Sequence, residues 1–240
     1  MATDLYVGGW DNPSQKAFFG KIDSKTGAYT QISSGLGLTF DSFTGLAWDP
    51  GISAFQTLSD DGLLNTITKT GTTGSPTGGG TRGRGRLAYN ANTGELHRLG
   101  GTDSMWFDFS LSIDGVELPR FSELWMFAEK YIRENSSFDG AVFVKGKLSC
   151  TVTKMGISCT YGFLDLETNR FQQIFSDKAY SGMSLAYDGS TLFGLNDYTL
   201  YTLNPETGAY TQVAKVTGIS EGNTMLECMA AIPESASWSL

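Results

Sequence analysis

The sequence predicts an all-β fold, a single-domain β-propeller of about five four-stranded blades, with six as the alternative. Three observations predict it: a repeated hexapeptide with similar flanks, an apolar strand motif that recurs about every 40–45 residues, and two chain ends that together complete one blade. Glycine accounts for 30 of the 240 residues, against a usual share of about 7%. That excess is typical of many turns joining many short strands.

The hexapeptide T-G-A-Y-T-Q occurs at residues 26–31 and again at residues 207–212. In both places two short apolar strands come before it and a third strand begins within it. Gly27 and Gly208 can adopt the positive φ that follows a type I turn, and a capping Asp or Asn stands three residues before each motif. Each copy therefore predicts a strand, a turn, a second strand, a T-G turn and a third strand.

A second motif is a short apolar strand that ends in an acidic or amide residue. It is L-A-W-D at residues 46–49, L-A-Y-N at 87–90 and L-A-Y-D at 185–188, with a diverged copy, M-A-A-I, at 229–232. The first two copies begin 41 residues apart, which is the period of a propeller blade. The small central Ala suits the crowded innermost position, where neighbouring blades converge.

The two ends of the chain supply the closure of the ring. The first unit starts at Leu5 without an inner strand, and residues 226–233 form an inner strand with no blade after it. Pairing them completes a blade and removes two free sheet edges. On these repeats the sequence resembles repeat-type β-propellers over residues 3–80 and 160–235, without the G-H…W-D signature of WD40 proteins. The resemblance implies the fold and assigns no functional residue.

Residues 101–160 interrupt the repeat and are expected to form an irregular insertion with a helix near 120–134. Apolar residues such as Leu124 and Phe127 recur there at helical spacing, and Ser122 can cap the first turn. We expect this helix to pack on the side of the propeller. A docking helix or lid, and a bulky strand at an inner blade position, are the alternatives.

Three aromatic residues are the expected contacts to protein partners or to further copies of the chain. Trp125 and Tyr131 belong to the predicted helix, and Trp238 lies in the C-terminal tail. Partner contacts of this kind are expected if the propeller works in an assembly.

Charge and hydropathy exclude several classes of partner. The net charge is −8 and the pI about 4.6, which argues against a nucleic-acid partner or an anionic membrane surface. No apolar stretch approaches the roughly 18 residues of a membrane span. The N-terminus lacks the basic and apolar regions of a signal peptide. The expected location is the cytoplasm by default, or a virion, and no cofactor is implied.

The three cysteines are expected to be reduced thiols. They are too few, and odd in number, for a disulfide scaffold. Cys150 and Cys159 flank a potential hairpin turn, and whether they face each other depends on the strand register. No metal site is expected, because the sole histidine, His97, is distant in sequence and no C-x-x-C motif occurs.

The stretch at residues 78–86 is rich in Gly and Arg. Alternation along a strand would bring Arg82, Arg84 and Arg86 to one face, which predicts a local site for an anion or a sugar acid. A plain Gly-rich connector is the alternative, and the overall acidity opposes RNA binding.

A ligand contact is also expected at Trp10 and Asp11, which we predict to lie in a loop of the first hairpin. Aromatic side chains beside polar loop residues commonly contact sugars. By contrast, Asp49 and Asp188 recur at equivalent repeat positions, which predicts turn capping rather than catalysis. No catalytic residues are assigned.

These observations favour a non-enzymatic recognition or assembly module, for example a structural or host-recognition component of a phage or virus particle. Two alternatives stay open. One is a free-standing lectin-like domain that binds carbohydrate or protein. The other is a propeller glycan hydrolase or lyase, which would need two carboxyl groups about 5–9.5 Å apart.

Overall fold

A computed structural model describes residues 2–34, 36, 43–59, 63–74, 77–79, 85–102, 105–111, 117–123, 136–154, 158–167 and 170–233. Within these ranges the regular secondary structure is strand, apart from one 3₁₀ turn at Lys178–Tyr180. The strands are β1 Asp4–Asp11, β2 Lys16–Asp23, β3 Tyr29–Ser34, β4 Phe43–Asp49, β5 Ala54–Ser59, β6 Leu63–Ile67, β7 Thr77–Gly79, β8 Gly85–Asn90, β9 Glu95–Thr102, β10 Met105–Leu111, β11 Glu117–Glu123, β12 Ser136–Val144, β13 Lys147–Lys154, β14 Ser158–Asp165, β15 Arg170–Ser176, β16 Ser184–Tyr187, β17 Leu192–Asn196, β18 Thr199–Leu203, β19 Tyr210–Lys215 and β20 Thr224–Ala231.

The strands pair into antiparallel sheets of four, in the orders β20-β1-β2-β3, β4-β5-β6-β7, β8-β9-β10-β11, β12-β13-β14-β15 and β16-β17-β18-β19. One edge strand of each sheet contacts its counterpart in the next sheet. These inner strands follow one another in the order β20, β4, β8, β12, β16 and back to β20. The sheets therefore form a closed ring, and the predicted all-β propeller arrangement is confirmed.

The ring closes through the sheet that combines both ends of the described chain. Strand β1 pairs with β2 on one side and with β20 on the other, with Leu5 opposite Ala231 and Asp11 opposite Thr224. This is the pairing that the incomplete first unit and the orphan last strand predict. It makes β1 an interior strand that is paired on both edges, while β20 becomes the inner edge strand of the sheet.

The T-G turns have the predicted chemistry. Gly27 and Gly208 have φ of 73° and 70°, a region that favours glycine. Asp23 Oδ1 accepts hydrogen bonds from two following backbone N–H groups at 3.0 and 2.8 Å. Asn204 Oδ1 does the same at 2.9 and 3.1 Å. Identical six-residue sequences thus form the same turn in two different sheets.

The hydrophobic core lies between adjacent sheets. Tyr6 of β1 and Phe19 of β2 pack on Phe55 of β5, with ring centroids 4.6 and 5.5 Å from the Phe55 ring. Elsewhere the buried Tyr180 donates its hydroxyl hydrogen to the carbonyl of Gly208 and stacks on Tyr161 at 5.9 Å. Aromatic side chains and one buried phenol bond therefore hold successive sheets face to face.

The expected helical insertion is not seen. Residues 120–123, the start of the predicted helix, belong to β11, which pairs with β10 and places Ser122 opposite Asp108. Residues 124–135 lie outside the described residues. The described strands between 101 and 160 complete two regular sheets. At residues 120–123 the pairing of β11 with β10 takes the place of the predicted first helical turn, because strand formation depends on a partner that local sequence does not reveal.

No helix among the described residues is long and apolar enough to cross a bilayer.

The closing pair β1–β20 is expected to tolerate no side chain at Gly9. A Cβ there would lie 2.1 Å from the carbonyl oxygen of Met225 on β20, so the backbones would have to separate. We expect Gly9→Ala to lower the free energy of unfolding by about 3 kcal/mol, measured by urea denaturation. Gly51→Ala is the control, because its Cβ would lie 3.2 Å from its nearest contact in an exposed turn. Equal losses in both variants would contradict the close approach.

Candidate functional site

The inner strands surround a central channel that widens into a cavity at each end. The cavity at their C-terminal ends has a volume of about 780 Å³ and is lined by one or more residues from each inner strand. We call it the apolar mouth and define it by Trp48, Ala88, Phe143, Tyr187 and Ala230. The recurring L-A-[WY] motif of β4, β8 and β16 lines this cavity together with apolar residues of β12 and β20, because these strands end at the same face of the ring.

The cavity at the N-terminal ends of the inner strands has a volume of about 630 Å³. We call it the polar mouth and define it by Thr44, Arg86, Asp139, Tyr198 and Glu227. Its charged side chains come from different sheets, so the ring and not the local sequence brings them together.

Buried capping side chains form the rim of the apolar mouth. Asp49 Oδ1 accepts from the N–H of Gly51 at 2.9 Å, and Asn90 Oδ1 accepts from the N–H of Asn92 at 3.1 Å. Asp188 occupies the equivalent place in the last sheet. Turn capping, predicted from the recurrence of Asp49 and Asp188, is therefore confirmed.

Asp188 makes the densest set of hydrogen bonds at this rim. Its Oδ1 accepts from the N–H groups of Ser190 and Thr191 at 2.8 and 2.7 Å, and its Oδ2 accepts from the Thr3 hydroxyl at 2.9 Å. Burial raises the pKa of this carboxyl, but the hydrogen bonds outweigh burial and hold the pKa below its usual value. Asp188 is thus ionised and occupied with its own turn.

Arg86 of β8 links inner strands across the floor of the polar mouth. Its Nε donates to the carbonyl oxygen of Phe138 on β12 at 3.1 Å. Its Nη1 donates to the carbonyl oxygens of Thr44 on β4 at 2.5 Å and Glu227 on β20 at 3.2 Å. Ser184 of β16 donates to the same Glu227 carbonyl at 3.0 Å. All the inner strands are therefore connected at one level of the channel.

The place that Arg86 occupies directly precedes the apolar motif of its strand. The other inner strands carry small residues there: Gly45, Gly140, Ser184 and Cys228. A Cβ at Gly45 would lie 2.8 Å from a backbone nitrogen of β8, and one at Gly140 would lie 2.6 Å from the carbonyl oxygen of Met183. Small residues at this level let neighbouring inner strands approach, and they leave the channel to the Arg86 side chain.

Further polar groups of this mouth are held by partners in their own and in neighbouring sheets. Asp139 Oδ2 accepts from the N–H of Gly182 at 3.1 Å and from the hydroxyl of Thr153. The half-buried Tyr198 donates its hydroxyl hydrogen to the carbonyl oxygen of Thr224. These bonds orient a carboxylate and an aromatic ring at the cavity.

Among the residues predicted to bind a ligand, Arg86 and Asp11 lie at the same end of the ring. Asp11 ends β1 opposite Thr224, a residue that lines the polar mouth, and it accepts from the N–H of Ser14 at 3.2 Å. The predicted loop position of Trp10 is wrong: it lies within β1, between β2 and β20, and is 8% exposed in the core cluster that also contains Phe19. Its contact to a ligand stays a prediction.

The other predicted contacts, Arg82, Arg84, Trp125, Tyr131 and Trp238, lie outside the described residues.

The cysteines and the histidine are placed in strands. Cys150 is opposite Gly162 and Cys159 is opposite Thr153, so the two thiols do not face each other, and none of the three cysteines forms a disulfide with another described residue. Burial raises the pKa of Cys228 to about 12.

His97 lies in β9, buried against the ring of Phe143 at 5.2 Å. Within the described ranges no three His, Cys, Asp or Glu side chains are grouped as metal ligands would be.

Sequence reasoning missed Asp139, Tyr198 and Glu227. Asp139 belongs to a sheet whose inner strand lacks the L-A-[WY] motif, so the repeat gave no reason to align it with Arg86. Comparing the residues that precede the motif in every inner strand is the signal that leads to this mouth.

Arg86→Met is expected to lower the free energy of unfolding by about 3 kcal/mol, because three backbone carbonyls lose a charged donor. Urea denaturation followed by tryptophan fluorescence measures it. Ser184→Ala, which removes one bond to the Glu227 carbonyl, should cost about 1 kcal/mol. A loss for Arg86→Met no larger than that for Ser184→Ala would contradict the role of Arg86 as a link between inner strands.

Asp188→Asn is expected to destabilise the protein at neutral pH and to have less effect in acid. The folded pKa of Asp188 is lowered, so its ionised form stabilises the fold above the unfolded value of about 3.9, and that contribution is lost as the pH falls through the folded pKa. Urea unfolding of both proteins at pH 7 and pH 3 measures the change. A difference between the two proteins that is the same at both pH values would be inconsistent with the charged cap.

No protein-family model and no curated protein matches the sequence. Solved structures share its architecture. TolB from Acinetobacter baumannii is 11% identical with a TM-score of 0.54, over 89% of this chain and 53% of that one. A proposed TolB from Agrobacterium tumefaciens is 12% identical, TM-score 0.52, over 95% and 90%. A Bacteroides thetaiotaomicron protein of unknown function is 13% identical, TM-score 0.52, over 88% and 56%. The chain thus spans about half of the first and third of these proteins, and together with the closed ring of sheets the likenesses show that it folds as a β-propeller.

Proposed function

We propose that this protein is a non-enzymatic recognition module that binds a small, largely apolar ligand in the apolar mouth. The observation that carries the proposal is the cavity itself, which has about 780 Å³ of space and is lined by side chains from every inner strand. Ligand pockets commonly have volumes of about 300–1,000 Å³ and mostly apolar walls with a few polar groups.

Aromatic rings supply contact area in this mouth. Trp48, Tyr89 and Tyr187 are half-buried, so part of each ring is available. The Trp48 ring is braced by Phe55, with centroids 4.9 Å apart, and Lys69 Nζ lies 4.7 Å from the Trp48 ring centroid. Rings that are held before a ligand arrives lose little side-chain entropy on binding.

The chemistry of the rim supports binding rather than catalysis. Asp49 and Asp188 accept hydrogen bonds from their own turns. A general acid needs a raised pKa, whereas the pKa of Asp188 is lowered. These carboxylates therefore shape the rim and keep the turns of the mouth in place.

The other interpretations stay predictions. A virion component, a lectin-like domain and a glycan hydrolase or lyase are all compatible with a propeller. Turnover of a polysaccharide by the purified chain would favour the enzyme over the module proposed here.

Binding of the uncharged apolar fluorescent probe N-phenyl-1-naphthylamine tests the proposal. We expect one saturable site, about fivefold weaker in Tyr187→Ala, which corresponds to roughly 1 kcal/mol of lost apolar contact. Tyr201→Ala is the matched control, since Tyr201 is also half-buried but packs on Tyr210 at 5.5 Å, away from the mouth. The absence of a saturable site, or equal weakening in both variants, would refute the proposal.

A further inference from the structure

We propose that the polar mouth is a second binding site, which takes a small carboxylic acid that also carries several hydrogen-bond donors, such as a sugar acid. Arg86 is the residue that would hold the carboxylate. This site lies at the opposite end of the inner strands from the apolar mouth. It stands on different residues and does not depend on the function proposed for that mouth.

Not every N–H donor of Arg86 has an acceptor among the described residues. A guanidinium has five N–H donors. The Nε hydrogen and the two Nη1 hydrogens meet the carbonyls of Phe138, Thr44 and Glu227. Among the described residues, none accepts from Nη2 and none forms an ion pair with Arg86. The protein therefore fixes the guanidinium through Nε and Nη1, while Nη2 has no acceptor among the described residues and belongs to a side chain that lines the cavity.

A carboxylate is the group that matches these donors. The partners of Arg86 are neutral carbonyls, so its positive charge is solvated by dipoles and has no paired anion among the described residues. Charge-assisted bonds between a guanidinium and a carboxylate are roughly twice as strong as neutral ones, so a carboxylate oxygen is a stronger acceptor for an Nη2 hydrogen than a neutral hydroxyl or carbonyl oxygen.

The acidic residues of the polar mouth determine which other groups the ligand needs. Asp139, Asp197 and Glu227 line the same cavity, and their charges would repel a simple acid. A ligand with hydroxyl groups can donate hydrogen bonds to these carboxylates, which offsets the electrostatic repulsion of its own carboxylate. Tyr198, whose hydroxyl donates to the Thr224 carbonyl, also lines this cavity, and the C–H groups of a sugar would pack against its half-buried ring. The combination favours a hydroxylated acid over a simple acid and over a neutral sugar.

Titration calorimetry of the full chain with D-glucuronate, D-glucose and acetate tests the ligand class. We expect D-glucuronate to bind at least tenfold more tightly than D-glucose, which lacks the carboxylate, and than acetate, which lacks the hydroxyl groups. Equal affinities for D-glucuronate and D-glucose would overturn the role of Arg86. Absence of D-glucuronate binding at millimolar concentrations would overturn the site.

Charge variants at Met225 test the location without disturbing Arg86. Met225 lines the polar mouth and is 46% exposed, so substitutions there should fold. We expect Met225→Lys to tighten D-glucuronate binding severalfold and Met225→Glu to weaken it severalfold. Val213→Lys and Val213→Glu are matched controls, because Val213 is 37% exposed on the outer strand β19. Equal shifts at both positions would reflect net charge alone and would overturn the assignment.

Discussion

The close approach of the inner strands around the channel is the constraint on which the rest of the structure depends. An added Cβ at Gly45 or Gly140 would collide with the backbone of the next inner strand, so this level of the channel admits only small side chains and a single long one. Each inner strand is also the edge of its sheet, with backbone carbonyls that no further strand can satisfy. Arg86 donates hydrogen bonds to three of these carbonyls, and these bonds stabilise the close packing of the inner strands.

The two ends of the channel differ because the repeat is uneven along each inner strand. The last residues of these strands are mostly apolar in each sheet, so the apolar mouth is built from similar side chains that each sheet contributes. The residues just before the motif have diverged, to Arg86 in one strand and Ser184 or Cys228 in others. Repetition therefore produces the apolar mouth at one end of the inner strands. Divergence produces the distinct charged residues of the polar mouth at the other end.

The sequence predicts those features that depend on short segments. The turns at Gly27 and Gly208, the capping by Asp188 and the pairing of β1 with β20 follow from local motifs and from which units lack a strand. The predicted start of the helix failed at residues 120–123, where the segment containing Ser122 pairs with β10, because local sequence carries no information about that partner. The reach of Arg86 to three other strands requires the curvature of the ring, which no spacing in the sequence encodes.

The pairing of β1 with β20 also bears on how the chain folds. Leu5 and Ala231 are adjacent in the sheet but 226 residues apart in sequence, so this contact is among the most non-local in the molecule. Loop closure over such a distance carries an entropic cost that only slowly increases with length, yet non-local strand pairing slows folding. The remaining sheets are built from hairpins between consecutive strands, and they can form while β1 waits for its partner. During that interval β1 and β20 each present an open edge, and competition from strands of neighbouring chains is then greatest.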